Sequence, residues 1–165
     1  MINEIDEQIV SIIQQDARIS NAEIARQIGL APSAVLERIR KLEDRDVIRG
    51  YETRIDHRQF DLGLLAFVFV KSRECGDGTE TELAKIPEVL EIHDVAGEDS
   101  FLLKVRADSP EGLGKLLREK VKAVSTVLST RTTIVLETIK ETSSVLISKR
   151  PLAEAERKKL EKVKK

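Results

Sequence analysis

Apolar positions recur along the chain in two rhythms, helical as far as about residue 45 and strand-like through most of the rest. Ile5, Ile9, Ile12 and Ile13 form one stripe of a first helix, running from about Asn3 to Gln15, with Asn3 as its cap. Ser20 and Glu23 make a Ser-x-x-Glu capping box for a second helix, whose apolar face is Ile24, Ala25 and Ile28. Gly29 follows the last apolar position, where a left-handed residue ends a helix without a Cβ clash. Pro32 opens a third helix, at a position where its missing amide hydrogen costs nothing. Val35, Ile39 and Leu42 are the buried stripe of that helix. Beyond Arg45, residues 47–51 and 53–55 read as two strands around a bend, a small wing. The loop-like HRQFDLG at 57–63 marks a boundary.

From there the period shortens. Leu64 to Val70 is a continuous apolar run, the pattern of a strand covered on both faces. Thr79 and Glu82 suggest a second capping box before a short helix with Leu83 and Ile86. Val89 to Val95 is a strand, 97–100 a turn, and Phe101, Leu103 and Val105 alternate with Lys104 and Arg106 in a half-buried strand. Ser109 and Pro110 start a helix with Leu113, Leu116, Leu117 and Val121 inward, and 130–138 is a last strand. This order is βαββαβ, a ferredoxin-like sandwich, so the fold class is α+β. Helices cover one sheet face. The apolar first strand asks for a second subunit on the other.

The third helix brings chemistry into the pattern. Opposite its buried stripe the reading places Ser33, Ala34, Glu37, Arg38 and Lys41, small or polar near the N-terminus and cationic further on. Such a face fits the second helix of a helix-turn-helix, which enters the major groove and meets phosphates at its flanks. A plain helical hairpin with a solvated outer face is the other reading of the same spacing. Charge complicates the picture: residues 1–56 carry net −3, 57–148 net −3 and 149–165 net +5. Phosphate neutralisation dominates DNA affinity, so the cations must act locally. Six of them (Arg38, Arg40, Lys41, Arg45, Arg49 and Arg54) fall between 38 and 54.

Several classes are disfavoured. The longest apolar run has seven residues, too few for a membrane span, and no secretion signal is visible, so a cytoplasmic location is expected. Cys75 is the single cysteine, which removes an intramolecular disulfide and a cysteine metal cluster. His57 and His93 are the only histidines and lack a metal-ligand pattern; no nucleophile elbow or phosphate loop occurs. No enzyme activity, cofactor or metal is expected.

Three stretches carry a family resemblance: IDEQIVSIIQQDARISNAEIARQIGLAPSAVLERIRKLEDRDVIRGY at 5–51, VAGEDSFLLKV at 95–105 and TRTTIVLETIKET at 130–142. The chain resembles the Lrp/AsnC, or feast/famine, transcription regulators over about residues 2–148. The resemblance implies a winged helix-turn-helix DNA-binding domain at 1–56, a linker at 57–63 and a ferredoxin-like effector-binding and oligomerisation domain at 64–148. The basic tail at 149–165 lies beyond it and is expected to be disordered. It implies double-stranded DNA, an amino acid or related effector, and further copies of the chain, as a homodimer that can assemble to an octamer, as partners. DNA contacts are expected from Ser33, Ala34, Glu37, Arg38, Lys41, Arg49 and Arg54. Effector contacts are expected from Gly97, Asp99, Ser100, Glu119 and Thr132. The sequence departs from the family at Ala31, where a capping Ser is usual, at Asp46, often Gly, and at Ser100, often Asp. An architectural DNA-wrapping protein without effector control is the alternative. Siroheme decarboxylase subunits resemble the same architecture, but two histidines offer little for a tetrapyrrole.

Overall fold

The computed structural model describes residues 2–73 and 78–147. Cys75 and the basic tail lie outside the described residues. The chain falls into two compact units, one running to Thr53 and joined by the segment from Thr142, the other from Arg54 to Glu141.

The first unit holds α1 (Glu4–Gln15), α2 (Asn21–Ile28) and α3 (Pro32–Asp44). Each is too short to be stable alone, so burial of a shared apolar face carries them. That face is Ile9, Ile24, Ala25, Val35, Ile39 and Leu42, with Ile5, Ile12, Ile13, Val47 and Ile48 packed around it. Asn3 caps α1 in a full reciprocal box: the Asp6 amide donates to Asn3 Oδ1 at 3.0 Å and the Asn3 amide to Asp6 Oδ2 at 3.1 Å. Ser20 caps α2 by accepting from the Glu23 amide at 3.2 Å. The expected return bond is not formed, because the Glu23 carboxylate turns to Arg26 at 2.7 Å and Gln27 at 3.0 Å. Gly29 ends α2 at φ 72°, and the Leu30 amide closes the turn on the Ala25 carbonyl at 3.0 Å. Ala31 provides no side-chain cap for α3.

The wing strands expected at 47–51 and 53–55 are absent from the described residues. The amides of Val47 and Ile48 instead donate to the Leu42 carbonyl at 2.9 and 3.1 Å, so they close the end of α3 rather than enter a ladder. Asp46 adopts the left-handed conformation there, φ 54°, which Asp tolerates better than most residues.

The second unit is a four-stranded antiparallel sheet, β1 (Leu64–Ser72), β2 (Val89–Asp94), β3 (Phe101–Ala107) and β4 (Val127–Ile134), in the order β2-β3-β1-β4. The helices are α4 (Thr79–Leu83) and α5 (Pro110–Leu116), the latter continued by a π-helical turn at Leu117–Val121. Ser109 caps α5 by accepting from the Gly112 amide at 3.0 Å. Register sorts the sheet into two faces. Ala66, Val68, Val70, Phe101, Leu103, Val105 and Ala107 join Leu83, Ile86, Leu113, Leu116 and Val121 in the core. Phe67, opposite Lys104, and Phe69, opposite Leu102, point to the other face.

Two expectations change here. Thr79 is not a cap. Gly78 occupies that position, while Thr79 is fully buried and its hydroxyl bonds Thr126 Oγ1 at 2.6 Å. β4 covers Val127–Ile134 rather than 130–138. Its ladder partner is β1, and the pairing from Ser72↔Val127 to Ala66↔Ile134 reaches almost the whole of that strand. Only the Val135 amide continues, to the Leu65 carbonyl at 2.9 Å.

Gly29→Ala should lower unfolding stability by about 1–2 kcal/mol. No atom lies near the added Cβ, so the cost comes from the left-handed backbone alone. Urea unfolding should show an earlier midpoint with unchanged slope; an unchanged midpoint would mean the turn relaxes freely.

Candidate functional site

Burial of Val35, Ile39 and Leu42 fixes the orientation of α3. At about 3.6 residues per turn, the opposite side is then Ser33, Glu37, Arg40 and Asp44, with Lys41 beside them. All five are exposed. Leu36, on one edge of this stripe, is 37% exposed. Glu37 and Lys41 pair at 2.5 Å, one turn apart, and the ammonium holds the Glu37 carboxyl below its ordinary range. Arg40 makes no side-chain hydrogen bond or ion pair among the described residues, and the same holds for Arg45 and Arg49. The spacing from Ser33 through Glu37 would have pointed to Arg40, which the sequence reading counted as a cation but left out of the site.

Arg38 is placed differently from the expectation. It lies with Ala34 on the flank of α3, half-buried. Its Nη1 donates to Asp6 Oδ1 at 2.8 Å and lies 3.5 Å from Asn3 Oδ1. The Asp6 side chain is only 10% exposed. Arg38 is therefore committed to the capping box of α1. Arg54 belongs to the second unit, where Nη2 donates to the Glu141 carbonyl at 2.6 Å. Of the seven expected DNA residues, Ser33, Glu37 and Lys41 share the outward stripe, Ala34 and Arg38 flank it, Arg49 follows α3 and Arg54 belongs to the second unit.

After α3 the chain folds back on it through Tyr51, whose hydroxyl donates to Glu43 Oε1 at 2.8 Å. Desolvation and the adjacent Glu43 carboxylate push the Tyr51 phenol up to about 12. It stays a neutral donor through the working pH range.

In the second unit Gly97, Asp99 and Ser100 sit on the turn between β2 and β3. The Ser100 hydroxyl accepts from the Ser72 amide at 3.1 Å, and the two hydroxyls lie 3.0 Å apart. The Ser100 amide donates to the Val70 carbonyl at 2.8 Å. Ser100 thus ties the turn to the end of β1. Asp99 accepts from Arg131 Nη2 at 2.8 Å, and that guanidinium lies 4.0 Å over the Phe69 ring. Arg131 is a partner of the turn that the sequence reading missed. Thr132 lies opposite Val68 and so points to the helix-covered face. Glu119 is exposed on the π-helical turn, 4.0 Å from Lys115. No hydrogen bond or ion pair among the described residues joins Glu119 or Thr132 to the turn. A groove of about 680 Å³ beside it is lined by Glu80, Ile92, Asp94, Ser100 and Phe101 among others; of the expected effector residues it takes in Ser100 alone.

A winged helix-turn-helix DNA-binding model matches residues 2–49, and a model of the Lrp/AsnC ligand binding domain matches 65–145. The leucine-responsive regulatory protein of Escherichia coli K12 is 35% identical over 153 residues, covering 90% of this chain and 93% of the relative. The chain belongs to the Lrp/AsnC family. It is an Lrp/AsnC-type DNA-binding regulator with a ligand-binding domain. A feast or famine regulatory protein from M. tuberculosis, complexed with L-methionine, superposes with a TM-score of 0.83 at 34% identity, over 88% of this chain and 99% of that one. A transcriptional regulator from Neisseria meningitidis in complex with L-methionine gives a TM-score of 0.83 at 27% identity, over 89% and 97%. The Lrp/AsnC ligand-binding model covers the turn at 97–100 and β4 together. No helix of the described residues is long and apolar enough to cross a membrane.

Tyr51 is the only tyrosine and the chain has no tryptophan, so its phenolate absorbance reads one site. The midpoint should lie near 12, raised from the ordinary 10. A raised value means that the Tyr51 contribution to stability is complete below pH 10 and is lost as pH rises towards 12. Glu43→Gln should move the midpoint down; a midpoint near 10 in the wild type would show that the segment leaves α3.

Proposed function

We propose that this protein is a sequence-specific transcription regulator that reads double-stranded DNA with the outward stripe of α3 and senses an amino acid through the turn at 97–100. It works as a homodimer or larger assembly in the cytoplasm and carries no enzyme activity. The observation that carries the reading is the exposed row Ser33, Glu37 and Arg40, with Lys41 beside it, on a helix whose opposite side is buried. Its N-terminal end is small enough to enter a major groove, and its cations follow toward the phosphates. The backbone amides of the turn and the Arg131 guanidinium suit an effector carboxylate, and Asp99 suits its ammonium. L-methionine is the first effector to test, because two similar regulators were solved with it.

One observation favours the architectural reading. Asp99 and Ser100 are both engaged internally, so a ligand at Asp99 must share its carboxylate with Arg131 or displace that guanidinium. A thermal-shift screen over the amino acids separates the two. A ligand that binds only the native state raises the apparent melting temperature, by about 2.7 kcal/mol of stability at a hundredfold excess over Kd. At least one amino acid should give this shift, Asp99→Ala should remove it, and DNA binding without effector should survive. No shift from any amino acid would support the architectural protein.

Assembly is tested at Phe67. The open sheet face carries Phe67 and Phe69 amid Lys104, Arg106 and Arg131, an amphipathic surface suited to a second copy. Phe67→Asp should give folded monomers in sedimentation, since closing the face on a second copy would desolvate a carboxylate where an apolar ring now sits. Val68→Asp is no substitute, because Val68 lies in the helix-covered core. A wild-type monomer at micromolar concentration would contradict the assembly.

A further inference from the structure

The two arginines of α3 have opposite surroundings. Arg38 donates at 2.8 Å to a carboxylate that is itself part of the reciprocal cap of α1. Asp6 uses one oxygen for the Asn3 amide and the other for Arg38, so one side chain joins the start of α1 to the middle of α3. Lengthening that bond toward DNA would strand a carboxylate that is 10% exposed. Arg40 stands on the stripe with Ser33 and Glu37, exposed and without a side-chain partner among the described residues. It has no internal bond to give up before it meets a phosphate or a base edge.

We infer that Arg38 acts on DNA binding through Asp6, as a positioning residue that sets α3 on α1, and that Arg40 is the arginine α3 delivers to DNA. The inference rests on α3 being the reading helix. It assigns different physics to neighbouring residues of one charge. A direct cation contact releases counterions, so its loss lowers the salt dependence of binding by about one unit of slope. A positioning residue changes affinity through the angle of the helix, and the count of neutralised phosphates stays the same.

The test uses the full chain and a duplex selected from a random pool by the wild-type protein. Binding is measured over a range of salt for wild type, Arg38→Ala, Asp6→Asn, their double variant, Arg40→Ala and Ser33→Asp. Circular dichroism checks that each is folded. Arg38→Ala and Asp6→Asn should weaken binding by a similar factor, about tenfold, and the double variant should be no weaker than either. All three should keep the wild-type slope. Arg40→Ala should weaken binding about tenfold and lower the slope by about one. If Arg38→Ala does not fold, Arg38→Met, which keeps most of the apolar stem and removes the donor toward Asp6, takes its place in the cycle. The inference is overturned if Arg38 variants lower the slope while Asp6→Asn leaves affinity alone, or if Arg40→Ala changes neither affinity nor slope. Ser33→Asp reports on the underlying reading. If it abolishes binding while Arg40→Ala does nothing, only the inference falls; if it too leaves binding intact, α3 is not the reader and both fall.

Discussion

The apolar cluster that joins the three short helices is the constraint on which the DNA-binding unit depends. Ile9, Ile24, Ala25, Val35, Ile39 and Leu42 have no polar member, and none of the three helices would persist in water without them. Once α3 buries Val35, Ile39 and Leu42, its rotation about its own axis is settled, and with it the identity of every outward residue. Ser33, Glu37 and Arg40 face out because those three face in. The fit between a recognition surface and a hydrophobic core is thus one geometric fact seen from two sides. The Arg38–Asp6 pair adds direction to this non-directional contact. Dispersion and burial tolerate sliding; a 2.8 Å charged hydrogen bond to a capping residue does not.

The second unit depends on strand alternation in the same way. β1 lies between β3 and β4, so one residue in two along it is covered by helices and the other points to the opposite face, where Leu65 is buried and Phe67 and Phe69 are half-buried. That face is less apolar than the run from Leu64 to Val70 suggests. Phe67 sits opposite Lys104, and the Arg131 guanidinium covers Phe69. Lys104 also pairs with Glu91 at 3.0 Å and Glu141 at 2.5 Å, which raises its affinity for the proton, with the Glu141 hydrogen bond as the leading cause. The Asp99–Arg131 bond links the turn at 97–100 to this face. A molecule that takes Asp99 Oδ2 would free a cation next to the surface proposed for assembly, a physical route from binding to association.

Periodicity made most of this legible in the sequence. The three helices, the order of elements and the buried stripes of the helices follow from spacing, and the left-handed site at Gly29 from its position after a helix. Which residues of the continuous apolar run 64–70 enter the core is fixed only by the register, and Asp46 was marked by the family's usual Gly. What could not be read was which of several partners a side chain takes. Glu23 and Thr79 both fit a capping pattern, yet Glu23 turned to Arg26 three residues on and Thr79 to the distant Thr126. Arg38 belongs by composition to a cationic face, and only folding brings Asp6 from 32 residues away to engage it. The wing strands failed for a related reason: β-branched residues announce extended chain, but the Val47 and Ile48 amides were claimed by the Leu42 carbonyl at 2.9 and 3.1 Å.

The central claim is that the side of α3 opposite the buried cluster lies on DNA. The most direct measurement attaches a photo-cross-linker to single cysteines introduced by Ser33→Cys, Glu37→Cys and, on α1, Glu7→Cys, in a Cys75→Ala background with selected duplex DNA. The account predicts strong DNA cross-links from positions 33 and 37 and none above background from position 7. Equal cross-linking from all three, or cross-links from position 7 alone, would contradict it.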